Sequence, residues 1–364
     1  MAVTDFMGQD GFVWFVGVVE DRQDPQKLGR VRVRCLGYHT ENKEELPTAD
    51  LPWAHPLLPI TSSGISGIGQ TPLGLLEGSW VVGFFRDAAS LQDAIIMGSL
   101  PGKPTKTGAE EAATGLGFTD PNGIYPRYKN ETDVNRLARG EENIPINVLR
   151  SATRLVDPYN GIPTASTIPF QTADLDTITT LSSGEIWGLP EIGFNSQYPY
   201  NHVFESESGH IFEVDDTPGA ERLLQYHRSG TETEITADGS RTTIIKGADY
   251  NVTTGNSRTH ITANKDVTLS GHYKIYLNAD GQSGNNYDIV VGENANVNIQ
   301  VDKGDINMLT IDGNINVNSG RDFNLAVAGT YRLSAGAIEE TSFTTTTRTA
   351  QGRYHTFGSP IDHN

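Results

Sequence analysis

The last third of the chain is written in eights. From Ala237 it reads "ADGSRTTI", "IKGADYNV", "TTGNSRTH", "ITANKDVT" and "LSGHYKIY", with Gly239, Gly247, Gly255, Ala263 and Gly271 in the third place. After a looser section the frame returns in "IDGNINVN" and "VAGTYRLS", with Gly313 and Gly329 in the same place. An octad is too short for a helical hairpin but fits one strand and one corner, where glycine is expected to supply the positive φ that other residues avoid. Apolar residues alternate with Thr, Asn and charged residues, as in "NINVN" and "DFNLAVAG", so one face of each strand can point into a dry interior. One copy offers too few apolar residues per rung to fill a cylinder. Three copies winding about one axis would enclose a narrow core and pair every strand edge, and no proline interrupts the ladder between Pro218 and Pro360. The pattern predicts an intertwined homotrimeric β-rod, on the order of 70 Å long if roughly fifteen rungs each climb ~4.8 Å.

The segments ahead of the octads differ from them and from each other. Residues 10–104 carry strand patterns, "FVWFVGVVED", "GRVRVRCLGY", "GSWVVGFFRD" and "DAIIMGSL", divided by turn signals such as "DRQDPQKLG". A small closed barrel is the economical arrangement, because closure removes exposed edges. "SGISGIGQTPLG" has reversed spacing for a dinucleotide fingerprint and reads as a loop. Trp53 and His55, flanked by prolines, read as a packed extended segment. Residues 105–200 are rich in proline, Ser and Thr with one short helix candidate, "ETDVNRLARG", and predict an extended arm over neighbouring structure.

Composition then excludes several classes. With 39 glycines, abundant Thr and Asn, and modest apolar content the chain is expected to be all-β. A net charge of -18 argues against tracking a nucleic-acid backbone. The single Cys35 rules out an intrachain disulfide framework and a Cys-rich zinc site. No run approaches the length of a membrane helix and no classical export signal is visible, so a protein soluble in the cytoplasm where it is made is expected.

The densest collection of titratable groups is "YPYNHVFESESGHIFEVDDTPGAERLLQYHRSG", residues 198–230. It reads as two strands joined at the turn holding Pro218 and Gly219. Asp215 and Asp216 are expected to cap backbone N–H groups there, with Arg222 answering their charge across the hairpin. His202, His210 and His227 form no recognisable triad, and the stretch is expected to be a collar in which three chains meet, with Asp215, Asp216, Pro218, Gly219 and Arg222 at the junction and the charges setting the register between subunits.

Barrel, long connector and octads together resemble the central spike proteins of contractile phage tail baseplates, T4-type, and more distantly the spikes of type VI secretion systems. The likeness is carried by "VEDRQDPQKLGRVRVRCLGYH", "DLPWAHPLLPIT", "DPNGIYPRYKNETDVNRLARG", the collar stretch and the octads. It implies an N-terminal oligonucleotide/oligosaccharide-binding (OB) barrel over 1–104 that docks on the baseplate hub ring. An extended proline-rich linker over 105–197, a collar β-hairpin over 198–236 and a triple-stranded β-helix needle over 237–364 would follow. It also implies a virion protein that plugs the tail tube, is pushed through the host outer membrane on contraction, and carries a separate small tip protein. Spikes of this type carry a lysozyme domain between barrel and needle. Only about 95 residues fill that interval here, too few for a body of on the order of 150 residues with a catalytic Glu and Asp, so no enzymatic activity is expected. Glu110, Glu111, Glu141 and Glu142 read as solvated surface. Arg30, Arg32 and Arg34 alternate onto one strand face and are expected to meet acids of the hub or of a neighbouring subunit.

Two rival readings remain: a hydrolase using the collar histidines with Asp215 or Asp216 on cell wall or surface polysaccharide, and a receptor-binding fibre. No cofactor is expected. His355 and His363 near the C-terminus are the candidates for a metal on a threefold axis, although the usual spacing of one residue between two histidines is missing.

Overall fold

The computed structural model describes residues 13–87, 90–114, 123–141, 193–269, 271–277, 286–347 and 349–352, and the chain divides into two compact units, Met1–Tyr273 and Lys274–Asn364. Alternation in "VWFVGVVED" turns Phe15, Gly17 and Val19 to one side of the first strand, β1 (Val13–Asp21), and the same pattern recurs in β2 (Val31–Cys35). With β3 (Trp53–Pro56), β4 (Trp80–Phe85) and β5 (Ala94–Ser99) these close a five-stranded barrel in the order β1-β2-β3-β5-β4. All pairings are antiparallel except β3 with β5. This is the OB-type barrel expected from the sequence, with the Trp53–His55 segment as its third strand.

Phe15, Val19, Val31, Val33, Cys35, Ala54, Val81, Phe85, Ala94 and Ile96 fill the interior. Each large member is worth about 1.5–3 kcal/mol of burial. The barrel is tight enough to demand glycine at one point of closure. A Cβ on Gly83 would lie 2.1 Å from the Ile95 carbonyl oxygen and 2.6 Å from the Phe15 ring. Burial leaves the Cys35 thiol with a pKa pushed up to about 12.

The second face of β1 and β2 carries charge, and here the structure corrects the sequence reading. Arg34 is fully buried and makes a bidentate pair with Glu20, at 2.7 and 3.0 Å, while donating to the carbonyls of Thr40 and Leu46. Arg30 pairs with Asp24 at 2.8 Å. Arg32 stacks over the Trp53 ring at 4.5 Å and donates to carbonyls of Ala49 and Leu51. All three arginines therefore have partners inside their own chain. Alternation placed them on one face, but the turn before β2 supplies Asp24 to Arg30, β1 supplies Glu20 to Arg34, and the loop that follows β2 folds back to offer carbonyls to Arg32 and Arg34.

Between β3 and β4 the chain is free of charge from Pro56 to Leu76. The expected loop is present, and its backbone is ordered by its own serines: Ser62 Oγ donates to Gln70 O, and Ser63 Oγ to the carbonyls of Ile65 and Ile68. Gly69 has φ +106°, and a Cβ there would stand 2.4 Å from Ser62 Oγ. The loop exposes Ile60, Ile65, Ile68 and Leu73.

The connector holds a five-residue helix, α1 (Gly108–Ala112), which the sequence reading missed although Thr107 and Glu110 form a capping box. "ETDVNRLARG" makes only a 3-10 turn, Leu137–Arg139, closed by Gly140 at φ 76°. Glu110 pairs with Lys129, Glu111 with Lys106, and Glu141 with Arg136 and Arg139, so these are surface carboxylates as expected. Glu142 lies outside the described residues.

The collar has more strands than expected. Five of them, β6 (Asn201–Glu205), β7 (Ile211–Asp215), β8 (Arg222–Tyr226), β9 (Glu232–Ile235) and β10 (Arg241–Ile244), form one antiparallel meander. Turns at Ser206–Gly209 and His227–Gly230 break each strand of the expected hairpin in two. Gly239, expected at a shaft corner, sits at φ +81° in the hairpin turn between β9 and β10, with Thr236 O accepting from its N–H. The first octad thus supplies the last strand of the sheet.

Beyond β10 the eight-residue frame persists as geometry. In the first unit bends fall at 246–247, 254–255, 262–263 and 271. In the second they fall at 302–304, 311–313, 320–321, 328–329, 336, 343–344 and 351–352. Between them the described backbone forms neither helix nor strand ladder. The reason proposed for the corner glycines does not hold: Gly247, Gly255, Gly271, Gly313 and Gly329 have no positive φ, and for four of them a Cβ would meet nothing within 4 Å, while on Gly313 it would meet only Thr310 Oγ1 at 2.9 Å. Apolar residues here, Tyr250, Val252, Leu269, Ile315, Val317 and Phe323 among them, lie exposed.

Candidate functional site

The collar sheet has two faces of unexpected polarity. Period-2 alternation turns Asn201, Glu213, Asp215, Arg222, Glu232 and Glu234 to one face together with Ile211, Leu224 and Tyr226, and this charged face is the buried one. Two stretches of the connector cover it. Phe194 lies against the small core of Leu137, Ile211, Leu224 and Tyr226, and the 3-10 turn at Leu137–Arg139 sits on β6.

Arg222 is the centre of the cluster. Its Nη2 meets Glu213 Oε1 at 2.6 Å and its Nη1 meets Glu234 Oε1 at 3.2 Å, all three side chains being at most 1% exposed. Its guanidinium stacks 4.9 Å from the Phe194 ring, and Gly193 N–H donates to Glu234 Oε1. Asn201 Nδ2 donates to Leu137 O, Ser196 Oγ and Glu213 Oε1 at 3.0–3.1 Å. Burial pushes the Glu213 carboxyl above the usual range against the opposing pull of Arg222, and its Oε2 meets no donor among the described residues. The site is thus one cation against two buried carboxylates, held by backbone from the connector.

The expected collar residues are placed as follows. Asp215 and Arg222 are register partners across β7 and β8, as anticipated, but Arg222 pairs with Glu213 and Glu234 instead of Asp215. Asp215 caps the N–H of Thr217 at 2.9 Å, as expected, and accepts from Ser196 Oγ. Asp216 is exposed and lies 3.6 Å from His202. Gly219 takes a positive φ of 78° in the turn, beside Pro218. His210 and His227 stack at 4.4 Å, with Nδ1 of each accepting a backbone N–H, from Arg228 and Ser229 respectively. The three histidines do not converge with Asp215. Among the described residues no cluster of His, Cys, Asp and Glu could hold a metal, and His355 and His363 lie outside those residues.

Glu207, in the β6–β7 turn, escaped the sequence reading. Both its oxygens pair with Arg22 at the end of β1, at 2.9 Å, its Oε1 accepts from the Tyr125 hydroxyl, and Arg127 donates to its carbonyl at 2.6 Å. Arg22, aided by Tyr125, holds the Glu207 carboxyl below its ordinary range. Barrel, connector and collar meet at this residue. No local pattern marks it, because its partners are 82 and 185 positions away.

The family model described as the Gp5 N-terminal OB domain matches residues 37–176, taking in β3–β5 and running into the connector. Protein Gp5 of Vibrio phage KVP40 is 42% identical over 292 residues, covering 74% of this chain and 66% of that protein. The pre-baseplate central spike protein Gp5 of Enterobacteria phage T4 is 43% identical over 138 residues, covering 35% of this chain and 22% of that protein. The matches span less than two thirds of the length of these relatives. With an OB-type barrel at its N-terminal end and the collar and octads after it, the chain belongs to the T4-type central spike family of phage proteins.

Proposed function

We propose that the protein is the central spike of a contractile tail baseplate, a structural virion protein that acts as a homotrimer. Three octad shafts would wind into a triple-stranded β-helix that pierces the outer membrane of the host when the tail contracts. Before contraction the trimer closes the tail tube, with the barrels seated on the hub ring and a small tip protein at the far end. The observation that carries this reading is the octad region. It bends at close to eight-residue intervals over 246–271 and again over 302–352, makes no ladder with itself among the described residues, and leaves its alternating apolar side chains in water. Apolar side chains left exposed forgo about 1.5–3 kcal/mol each, and a regular row of them calls for equally regular partners. The uncharged loop from Pro56 to Leu76 supports the hub contact, since it exposes Leu57, Ile60, Ile65, Ile68 and Leu73 on an ordered backbone.

The protein is proposed to act without catalysis. The described connector is a five-residue helix, a 3-10 turn and extended backbone, and its carboxylates Glu110, Glu111 and Glu141 are each paired with a surface cation. Light scattering of the purified chain tests the assembly: a mass three times that of the 39.5 kDa chain is expected. Incubation with peptidoglycan and host polysaccharide should release no reducing ends. Release that disappears on Asp215→Asn or Asp216→Asn would replace this reading with the hydrolase.

A further inference from the structure

The collar sheet is inside out. Its charged face is covered by the chain's own connector, while its opposite face carries Phe204, Phe212 and Leu223 at 68%, 55% and 47% exposure, with Ile235 in the same row as Leu223. We infer that this outer face is the surface on which a second copy of the chain sits, and that subunit register in the collar is set there and not by Asp215, Asp216 and Arg222. The inference rests on the trimeric reading and adds to it which face meets the neighbour.

Three observations point to this occupant. The first is area. Three large side chains, each close to half exposed or more and contiguous across β6, β7 and β8, form with their surroundings an apolar patch on the order of several hundred Å². Single soluble chains seldom leave more than that uncovered, and a standard interface takes roughly 800 Å² from each partner. The second is charge. The chain has a net charge of -18, so two copies repel over most of their surface. No carboxylate lies on the outer face within the five strands, where His202 and Arg241 are the groups that can carry charge. This is a face on which two like-charged copies can meet. The third is continuity. β10 leads directly into the octads of the first unit, whose apolar residues are exposed in the same way, and a partner that covers both must share the eight-residue spacing. A second copy has that spacing by construction.

The contrast with the opposite face is informative. Every charge the sequence reading assigned to subunit contacts is either bound within its own chain, as Arg222 and Asp215 are, or stands beyond the strand end, as Asp216 does. The collar would join copies through apolar surface and keep its ions for holding the connector.

The test uses the full chain. Cys35 is the one native cysteine and is buried, so Leu223→Cys introduces a single accessible thiol. In the native protein maleimide labelling at 223 should be at least tenfold slower than at a thiol placed by Ile60→Cys, and should rise to the same rate on dilution below the dissociation concentration. Phe204→Asp and Phe212→Asp together should raise that concentration at least tenfold, while Phe212→Leu and Ile60→Asp leave it within twofold. A wild-type trimer with rapid labelling at 223, or with assembly indifferent to the double substitution, overturns the inference and leaves the trimer standing. Protection that persists in the diluted monomer also overturns it, since the chain's own residues would then cover the face. A wild-type protein that is monomeric at all concentrations overturns the trimeric reading itself.

Discussion

Arg222 is held between two buried carboxylates and is the cation that both of them meet. Removing the cation of a buried ionic cluster leaves its carboxylates charged without it, which costs about 3–5 kcal/mol. Arg222→Met is therefore expected to lower the stability of the native protein by that amount in urea denaturation at pH 7, and Glu213→Gln in the same background should recover part of it. The pH dependence follows from the direction of the Glu213 shift. A carboxyl whose folded pKa lies above its unfolded value destabilises the fold fully above the folded pKa, and the penalty vanishes as pH falls below the unfolded value of about 4.3. Arg222→Met removes the group that limits this shift, so its deficit should shrink as pH is lowered from 7 toward about 4.5. A deficit that stays constant over that range would mean Glu213 keeps its charge without the arginine.

At the scale of elements, the corner glycines of the shaft make a sharp prediction. Gly247 and Gly255 need no left-handed backbone, and among the described residues nothing beyond their chain neighbours stands within 4 Å of an added Cβ. A chain alone would accept alanine there, with some gain from reduced backbone freedom in the unfolded state. Gly247→Ala with Gly255→Ala should therefore leave the isolated subunit unharmed and lower the temperature at which the assembled trimer dissociates, as read by heating before native gel electrophoresis. An unchanged dissociation temperature would show that no neighbouring strand comes close at those corners. Much at this scale was legible in the sequence. Alternation located β1, β2, β4 and β5, and the octad frame reappears as bends at the same spacing. Period 2 says which residues share a face, however, and not which face is covered. Arg222 was expected to answer Asp215 and Asp216, but it turns inward with Glu213 and Glu234, because the segments that bury that face, Leu137–Gly140 and Gly193–Ser196, are distant in sequence. The same limit misplaced the partners of Arg30, Arg32 and Arg34.

At the scale of the whole molecule, the Glu207 pairing with Arg22 is a joint that acid should loosen. Its carboxyl is held below its ordinary range, so the pairing contributes stability above the unfolded pKa of about 4.3 and loses it as pH falls through the lower folded value. Limited proteolysis of the connector is expected to accelerate below pH 4, and Glu207→Gln should show the faster cleavage already at pH 7. Equal cleavage of the two proteins at neutral pH would separate the joint from connector protection. The same contact has a mechanical reading. Along the chain the barrel and the collar are joined through the connector, from Ser99 at the end of β5 to Asn201 at the start of β6, whereas Arg22 and Glu207 join them directly. Compression needs a short strut, and the two parallel hydrogen bonds between Arg22 and Glu207, backed by Glu77 on the guanidinium's other side, provide one across a single pair of side chains.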